Sequence, residues 1–383
     1  MKVLIAVTHL LGTGHLSRAL TLGRAFADAG HDVRIASGGM PAPHLDHSGT
    51  TLLQLPPLRS DGTNFTLLLD GNGEPATDDY LASRRNALKS ALDDPPDILI
   101  CELFPFGRRI LSDEFLTLLD AAQALPRPPV ILSSIRDILA PPSKPAKAIR
   151  ADQIITRYFD AVLVHSDPHS TTLDQSWPVS AGLAAKLRYT GYVAPARAEP
   201  HPDQAGQAEV LVSAGGGQVG APIFRAAMAA AGQMPGHQWR LLVGGSDPQA
   251  RIDALNQRFP DSPAIVEPAR RDFRSMLHHA AASVSMCGYN TALDLLQTGT
   301  PAVLIPFDDG KEVEQTLRAR SLSALPGMRV LPGTTLNPQT LCAALTQVLT
   351  DPVRHTDDLQ FDGAARSVAL ACNMACDMAK ARA

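Results

Sequence analysis

Twice in this chain a short β-rich apolar run ends in a cluster of glycines and passes straight into a helical pattern. The run at residues 3–7 leads to Gly12-Thr13-Gly14-His15, after which Leu16, Ala19, Leu20, Gly23, Phe26 and Ala27 recur at helical spacing up to Gly30. Val210-Leu211-Val212 leads to Ser213-Ala214-Gly215-Gly216-Gly217-Gln218-Val219-Gly220, with a helix expected over about 222–232. A strand that feeds a helix through a glycine turn starts a βα unit, and repeated units of this kind build a parallel sheet. Runs at 33–36, 98–101, 130–132 and 161–164 continue the first series, and runs at 241–243, 264–266, 283–285 and 302–305 the second. The expected fold class is α/β, with two Rossmann-like doubly wound domains facing a cleft and ligands bound beyond the strands' C-terminal ends.

The length agrees, because 383 residues exceed what one hydrophobic core usually supports. The Pro-, Ala- and Gln-containing stretch 193–208 is the expected linker between an N-terminal domain 1–192 and a C-terminal domain 209–363. Residues 364–383 read as a closing helix. Residues 60–74, rich in Gly, Asp and Asn, are expected to form a long surface loop. An apolar content of 45% with 19% charge is that of a globular protein. A net charge of -4 without a Lys/Arg run leaves no electrostatic footprint for nucleic acid. No apolar stretch approaches the ~18–20 residues a membrane helix needs, and no cleavage site follows the first strand. Five scattered cysteines fit reduced thiols, so the expected location is cytoplasmic.

The segment Cys287-Gly288-Tyr289-Asn290-Thr291-Ala292-Leu293-Asp294 is a loop opening a helix, with one carboxylate a turn inside it. Gly299-Thr300-Pro301, a buried strand and Glu314-Gln315 follow. Amides at a helix N-terminus take a diphosphate, a carboxylate takes ribose hydroxyls, and an acid–amide pair takes sugar hydroxyls. The second glycine cluster makes an anion nest from successive N–H groups and lacks the lysine of a P-loop. The first cluster lacks the third glycine of a dinucleotide fingerprint. His15, at the start of its helix, suits deprotonating a hydroxyl, or else bonds nearby backbone. Glu102 follows the strand at 98–101 and is the candidate carboxylate to hold the His15 tautomer, with a solvated or interdomain carboxylate as the alternative. Arg136 either holds an acceptor phosphate or carboxylate or makes a salt bridge. His44, Asp46, His47, His165, Asp167 and His169 have metal-ligand side chains but no completing cluster, so no metal site is expected. Cys372 and Cys376 share a helix face with Val368 and read as core residues.

The ordered motifs from Cys287 to Gln315 resemble the donor site of GT-B glycosyltransferases, both the plant-type small-molecule enzymes (CGWNS…E…DQ) and family 28. The segment from Gly12 to Ala19 resembles the Gly-His opening of inverting GT-B transferases. The loop from Ser213 is similar to the GGSQGA loop of the family 28 enzymes, with Gly217 for serine and Val219 inserted. Asp294 replaces the usual Glu, and Met286 stands where plant-type enzymes carry a phosphate-binding His. The resemblance implies a UDP-sugar donor held by Ser213, Gly215, Gly216, Gly217, Gln218, Cys287, Gly288, Asn290, Thr291, Asp294, Glu314 and Gln315. Val266 and the loop 266–270 would meet the nucleobase. Thr13, Gly14 and Arg136 would lie near the acceptor or a phosphate, with His15 as general base and Glu102 as its partner. Inversion without an obligatory metal, a small-molecule or lipid acceptor, and peripheral contact at the inner membrane face are implied in the same way. Two other readings stay open. The first glycine segment also looks like the opening of the UDP-sugar hydrolase of pseudaminic-acid synthesis, where His15 would activate water, and a non-catalytic nucleotide-sugar-binding protein would keep only the grip.

Overall fold

Alternating side chains on one strand decide the architecture of the first half. Val3, Ile5 and Val7 belong to one buried cluster while Leu4 and Ala6 belong to another, so both faces of the strand at Lys2–Val7 are covered. The computed structural model describes residues 1–10, 13–61, 64–215, 220–245, 247–307, 313–352, 354–355 and 359–382, without the side chains of 61 and 64–66. The chain divides into two compact units. Unit 1 is Met1–Pro168, Thr172–Pro195 and Gln360–Ala383, and unit 2 is His169–Thr171 and Ala196–Leu359.

Unit 1 runs β1 (Lys2–Val7), α1 (Gly14–Asp28), β2 (Asp32–Gly39), β3 (Thr51–Asp61), β4 (Asn64–Leu69), α2 (Asp78–Ser90), β5 (Ile98–Glu102), α3 (Ser112–Gln123), β6 (Val130–Arg136), α4 (Pro145–Tyr158), β7 (Ala161–His165), α5 (Ala181–Lys186) and β8 (Leu187–Tyr189). Its sheet has the order β4-β3-β2-β1-β5-β6-β7-β8. All pairs are parallel except β3–β4. On one face Ile98, Ile100, Val130, Leu132, Ala161 and Leu163 join Val3 and Ile5 against α1. Leu99, Ile131 and Val162 turn to the other face, where α2 to α5 lie. Glycine at 23 lets α1 approach β2, since a Cβ there would come within 2.9 Å of the Ile35 side chain.

Unit 2 runs β9 (Glu209–Ser213), α6 (Ala221–Ala231), β10 (Gln238–Val243), α7 (Pro248–Arg258), β11 (Ile265–Pro268), α8 (Phe273–Met276), β12 (Ala282–Ser285), α9 (Tyr289–Thr298), β13 (Ala302–Leu304), α10 (Glu314–Leu322), β14 (Met328–Val330) and α11 (Pro338–Thr350). Its sheet is parallel in the order β11-β10-β9-β12-β13-β14. Residues after Pro195 are fastened to this unit. His278 Nε2 meets the Ala198 carbonyl at 2.7 Å, His279 Nε2 meets that of His201 at 3.1 Å, and His201 Nε2 meets Asp272 at 3.0 Å. The last helix, α12 (Gly363–Arg382), belongs to unit 1, where Val368 and Ala371 enter the α1-side core.

Two expectations need correction, and one helix goes beyond them. The stretch 60–74 is no long loop, because β4 pairs antiparallel with β3 and Leu68 is buried. The apolar run Phe65-Thr66-Leu67-Leu68-Leu69 outweighs the flanking turn residues, and Gly62 and Thr63 lie outside the described residues. Helix α2 was not expected, although Thr77 caps it by accepting from Tyr80 N at 3.2 Å and Asp78 and Asp79 fill its first turn. Cys376 is exposed, and Cys372 is half-buried with Sγ 3.2 Å from His31 Nε2, so neither is a closed core residue.

Candidate active site

The parity that places Ile98 and Ile100 on the α1 face of unit 1 places Glu102 there too, at the strand's C-terminal end. Glu102 is 2% exposed. His15, on the first turn of α1, meets Glu102 Oε1 through Nδ1 at 3.0 Å. Arg18, one turn further along α1, donates to the same carboxylate oxygen. Ser134, the register partner of Glu102 on β6, donates to Oε2 at 2.7 Å. Thr13 is the N-cap of α1 without a side-chain cap bond, and Gly14 is its first residue with open space where a Cβ would stand. Arg136 ends β6 opposite His165 in register.

Burial holds the His15 imidazole far down, at about 3, opposed by its bond to Glu102 and assisted by the Arg108 and Arg18 charges. Burial alone would raise Glu102, but Arg18, His15 and Ser134 outweigh it and hold the carboxyl at about 2. The resting pair is therefore neutral imidazole beside carboxylate. Among the described residues Nδ1 makes both of the His15 side-chain contacts, and Nε2 has no hydrogen-bond partner. A neutral ring whose Nδ1–H is held by a carboxylate presents its lone pair at Nε2, the arrangement of a base.

Arg18 and Arg108 are the residues that sequence reasoning missed here. Arg108 has a left-handed backbone (φ 58), donates to the Thr8 carbonyl, and is lowered to about 10 by burial. Arg18 was readable, since it stands one helical turn from His15 on the same face. Arg108 was not, since only the loop after β5 aims it.

In unit 2 the candidate donor residues gather at the C-terminal ends of β9, β12 and β13. Ser213 ends β9 and its hydroxyl accepts from Gly215 N at 3.2 Å. Gly220, the N-cap of α6, has φ 103, and a Cβ there would stand 2.2 Å from that of Ala214. Gly216, Gly217 and Gln218, and also Asp308 and Asp309, lie outside the described residues. Gly288 caps α9 with no side-chain cap bond and with open space at its Cβ position. Asn290 and Thr291 sit in the first turn of α9, and an uncapped helix start of this kind offers amides and partial positive charge to an anion.

Four predicted donor residues are already engaged within unit 2. Asp294, in the second turn of α9, accepts from Arg274 Nε at 2.6 Å. Burial raises its pKa and Arg274 opposes the rise. Val266 is in strand β11 rather than in a loop, paired with Leu241 and with its side chain on the unit 2 core. The β-branched Ile265-Val266 extends the sheet by one edge strand, so the loop proper starts at Ala269. Cys287 is fully buried, and its carbonyl accepts from Arg318 Nη1 at 3.2 Å. Gln315, the second residue of α10, accepts from Phe307 N at 3.1 Å, and Glu314 is the first. Arg318, 2% exposed and 5.6 Å over the Tyr289 ring, was also missed, although it lies one turn beyond Glu314 on α10. It places a buried cation behind the α9 N-terminus.

Comparisons with known proteins bear on the second unit and on the fold. Residues 212–366 match the glycosyltransferase family 28 C-terminal domain. A curated relative is the UDP-N-acetylglucosamine--N-acetylmuramyl-(pentapeptide) pyrophosphoryl-undecaprenol N-acetylglucosamine transferase of Rhodospirillum centenum, 29% identical over 152 residues. That match spans 38% of this chain and 39% of the relative, so the chain covers well under half the length of this relative. Among solved structures, the glycotransferase of kitacinnamycin superposes with a TM-score of 0.64 at 18% identity, covering 99% of this chain and 98% of that one. MurG of Acinetobacter baumannii gives 0.60 at 14% identity, covering 99% of each chain. At such identities the likeness establishes the fold, which is GT-B. No helix among the described residues is long and apolar enough to cross a membrane.

Proposed function

We propose that this GT-B chain, family 28-like in its second unit, is a glycosyltransferase that moves a sugar from a UDP-sugar to an acceptor hydroxyl. The observation that carries the proposal is the His15 imidazole held through Nδ1 by a buried carboxylate at 3.0 Å, with Nε2 uncommitted among the described residues. The acceptor oxygen attacks the anomeric carbon, its proton passes to His15 Nε2, and the bond from that carbon to the diphosphate oxygen breaks with its electron pair leaving on UDP. Attack opposite the leaving group inverts the anomeric centre. Burial keeps His15 neutral at the cost of its basicity, and Glu102 offsets that cost by stabilising the imidazolium as it forms.

In unit 2 the amides at the starts of α9 and α6 would take the diphosphate. Asp294 would hold the ribose while retaining Arg274, and Glu314 and Gln315 would read the sugar. This mode of assisting departure needs no metal. The acceptor is a small molecule or lipid, and the relative from Rhodospirillum centenum makes a polyprenyl-linked acceptor the first to try. That choice carries peripheral contact with the inner membrane face with it, which flotation with anionic vesicles tests.

A screen of UDP-, GDP- and dTDP-sugars by thermal shift, followed by UDP-release assays with and without candidate acceptors, tests the proposal. A bound UDP-sugar at a hundredfold excess over its Kd adds ~2.7 kcal/mol of stability. Release that depends on acceptor supports transfer. Rapid, complete release from donor alone assigns hydrolysis, with water as the species His15 activates. Binding without release under any condition leaves a nucleotide-sugar-binding protein.

A further inference from the structure

Behind His15 a line of buried polar side chains crosses three neighbouring strands of unit 1 to the end of a fourth. Glu102 Oε2 meets Ser134 Oγ at 2.7 Å, Ser134 Oγ meets His165 Nε2 at 2.9 Å, and His165 Nδ1 meets Thr190 Oγ1 at 2.9 Å. Ser134, His165 and Thr190 are all at most 1% exposed. Strand parity builds the line, because Ser134 faces as Val130 and Leu132 do, His165 as Ala161 and Leu163 do, and both therefore lie on the α1 side with Glu102. An all-apolar layer would fill this place more simply, since each buried polar group needs its partner.

We infer that Thr190, His165 and Ser134 are positioning residues that fix the Glu102 carboxylate and, through it, which nitrogen of His15 carries the proton. The direction of every link follows from donor counting. An ionised carboxylate only accepts, so Ser134 Oγ and His15 Nδ1 must both donate to Glu102. Ser134 spends its one proton there, so its oxygen accepts from His165 Nε2–H. A neutral His165 protonated on Nε2 must accept at Nδ1, and Thr190 supplies that proton. Burial keeps His165 neutral, at about 3, and the Arg18 charge acts in the same sense. The Gly191 and Val164 carbonyls, 3.0 and 3.4 Å from Thr190 Oγ1, are the competing acceptors, but choosing either leaves Nδ1 of His165 unfilled in a sealed place.

The chain of bonds matters because Glu has one more torsion than Asp and Arg18 competes for it. Arg18 Nη2 is 3.3 Å from His15 Nδ1 as well as bonded to Glu102 Oε1. Ser134 holds Oε2 away from Arg18. Without that hold the carboxylate can swing to a two-oxygen grip on the guanidinium, and Arg18 then donates to Nδ1 of His15. His15 would carry its proton on Nε2 and could no longer accept one. The inference deepens the proposed function, since it rests on His15 as the base.

The test is nitrogen-15 NMR of histidine-labelled protein, which tells protonated from bare ring nitrogens without donor or acceptor. Wild-type protein is expected to show His15 protonated on Nδ1 and His165 on Nε2. A His165 proton on Nδ1 overturns the inference, whatever any variant does. Ser134→Ala and His165→Leu should move His15 toward the Nε2–H form and lower kcat about tenfold with KM held, while His165→Gln, which keeps a donor toward Ser134, restores most of it. An unchanged His15 tautomer in both folded loss variants also overturns it. Full activity in His15→Ala removes the base assignment instead, and the tautomer pattern still decides the positioning chain by itself.

Discussion

The candidate sites of the two units are built from different materials. In unit 1 the candidate groups are side chains, because His15, Arg18, Glu102 and Ser134 are all directed inward from strands and one helix and meet at the Glu102 carboxylate. In unit 2 the candidate groups are mostly backbone, at the glycine N-caps of α6 and α9, and of its two candidate acids Asp294 is held by Arg274 while Glu314 opens α10. A side-chain site must be fully satisfied before ligand arrives or its buried charges are costly. A backbone site at helix starts can stay open, since exposed amides are hydrated at little cost. The first half is expected to fail by electrostatics and the second by geometry.

The largest break should come from Glu102→Gln. The amide can donate to Nδ1 of His15 and leave the wrong tautomer, so kcat should fall ~10²–10⁴-fold with donor affinity unchanged, read by steady-state kinetics beside calorimetry. A drop below threefold would show that Glu102 does not orient the ring. Arg18→Met leaves that carboxylate buried without its cation and should cost ~3–5 kcal/mol in urea unfolding of the whole chain, with part recovered in the Arg18→Met/Glu102→Gln double variant. Full additivity of the two changes would contradict a direct pair.

Acid should loosen unit 1 before unit 2. His15 and His165 are held neutral, both at about 3, so the unfolded chain binds their protons first once pH falls below ~6.5, and stability declines from there down to pH ~3. Glu102, lowered to about 2, adds a loss that begins near its unfolded value of ~4.5. Each neutral buried histidine costs ~1.4 kcal/mol per pH unit in that window. Hydrogen exchange at pH 7 and pH 5 reads it by segment, and equal loosening of both units would undo the comparison. The smallest effect is expected at Asp294→Asn, which keeps size and removes charge and should weaken UDP-sugar binding about tenfold while leaving kcat near its original value. Unchanged donor Kd would leave Asp294 as a structural partner of Arg274 only.

The same contrast explains what could be read before the structure. Period and apolar runs announced both sheets, because buried parallel strands need continuous Val, Ile and Leu on either face. The strand–glycine–helix steps of unit 2 were legible since glycine spacing, which sequence displays directly, sets where α6 and α9 begin. His15 and Glu102 were nameable one by one, but Arg108 reaches the pair through a left-handed loop residue that no periodicity predicts. Ser134 and His165 were hidden for another reason, since strand register decides that 102 and 134 stand side by side. The hairpin of β3 and β4 was misread because Gly and Asp flank an apolar run that the sheet edge captured.

The central claim is that His15 takes the acceptor's proton while the donor is gripped elsewhere. Its most direct test is the kcat/KM of His15→Ala against wild type, with an acceptor that supports UDP release, beside the donor Kd of both proteins. A fall of ~10²–10⁴-fold with an unchanged donor Kd is expected. Equal kcat/KM in a folded His15→Ala protein would contradict it.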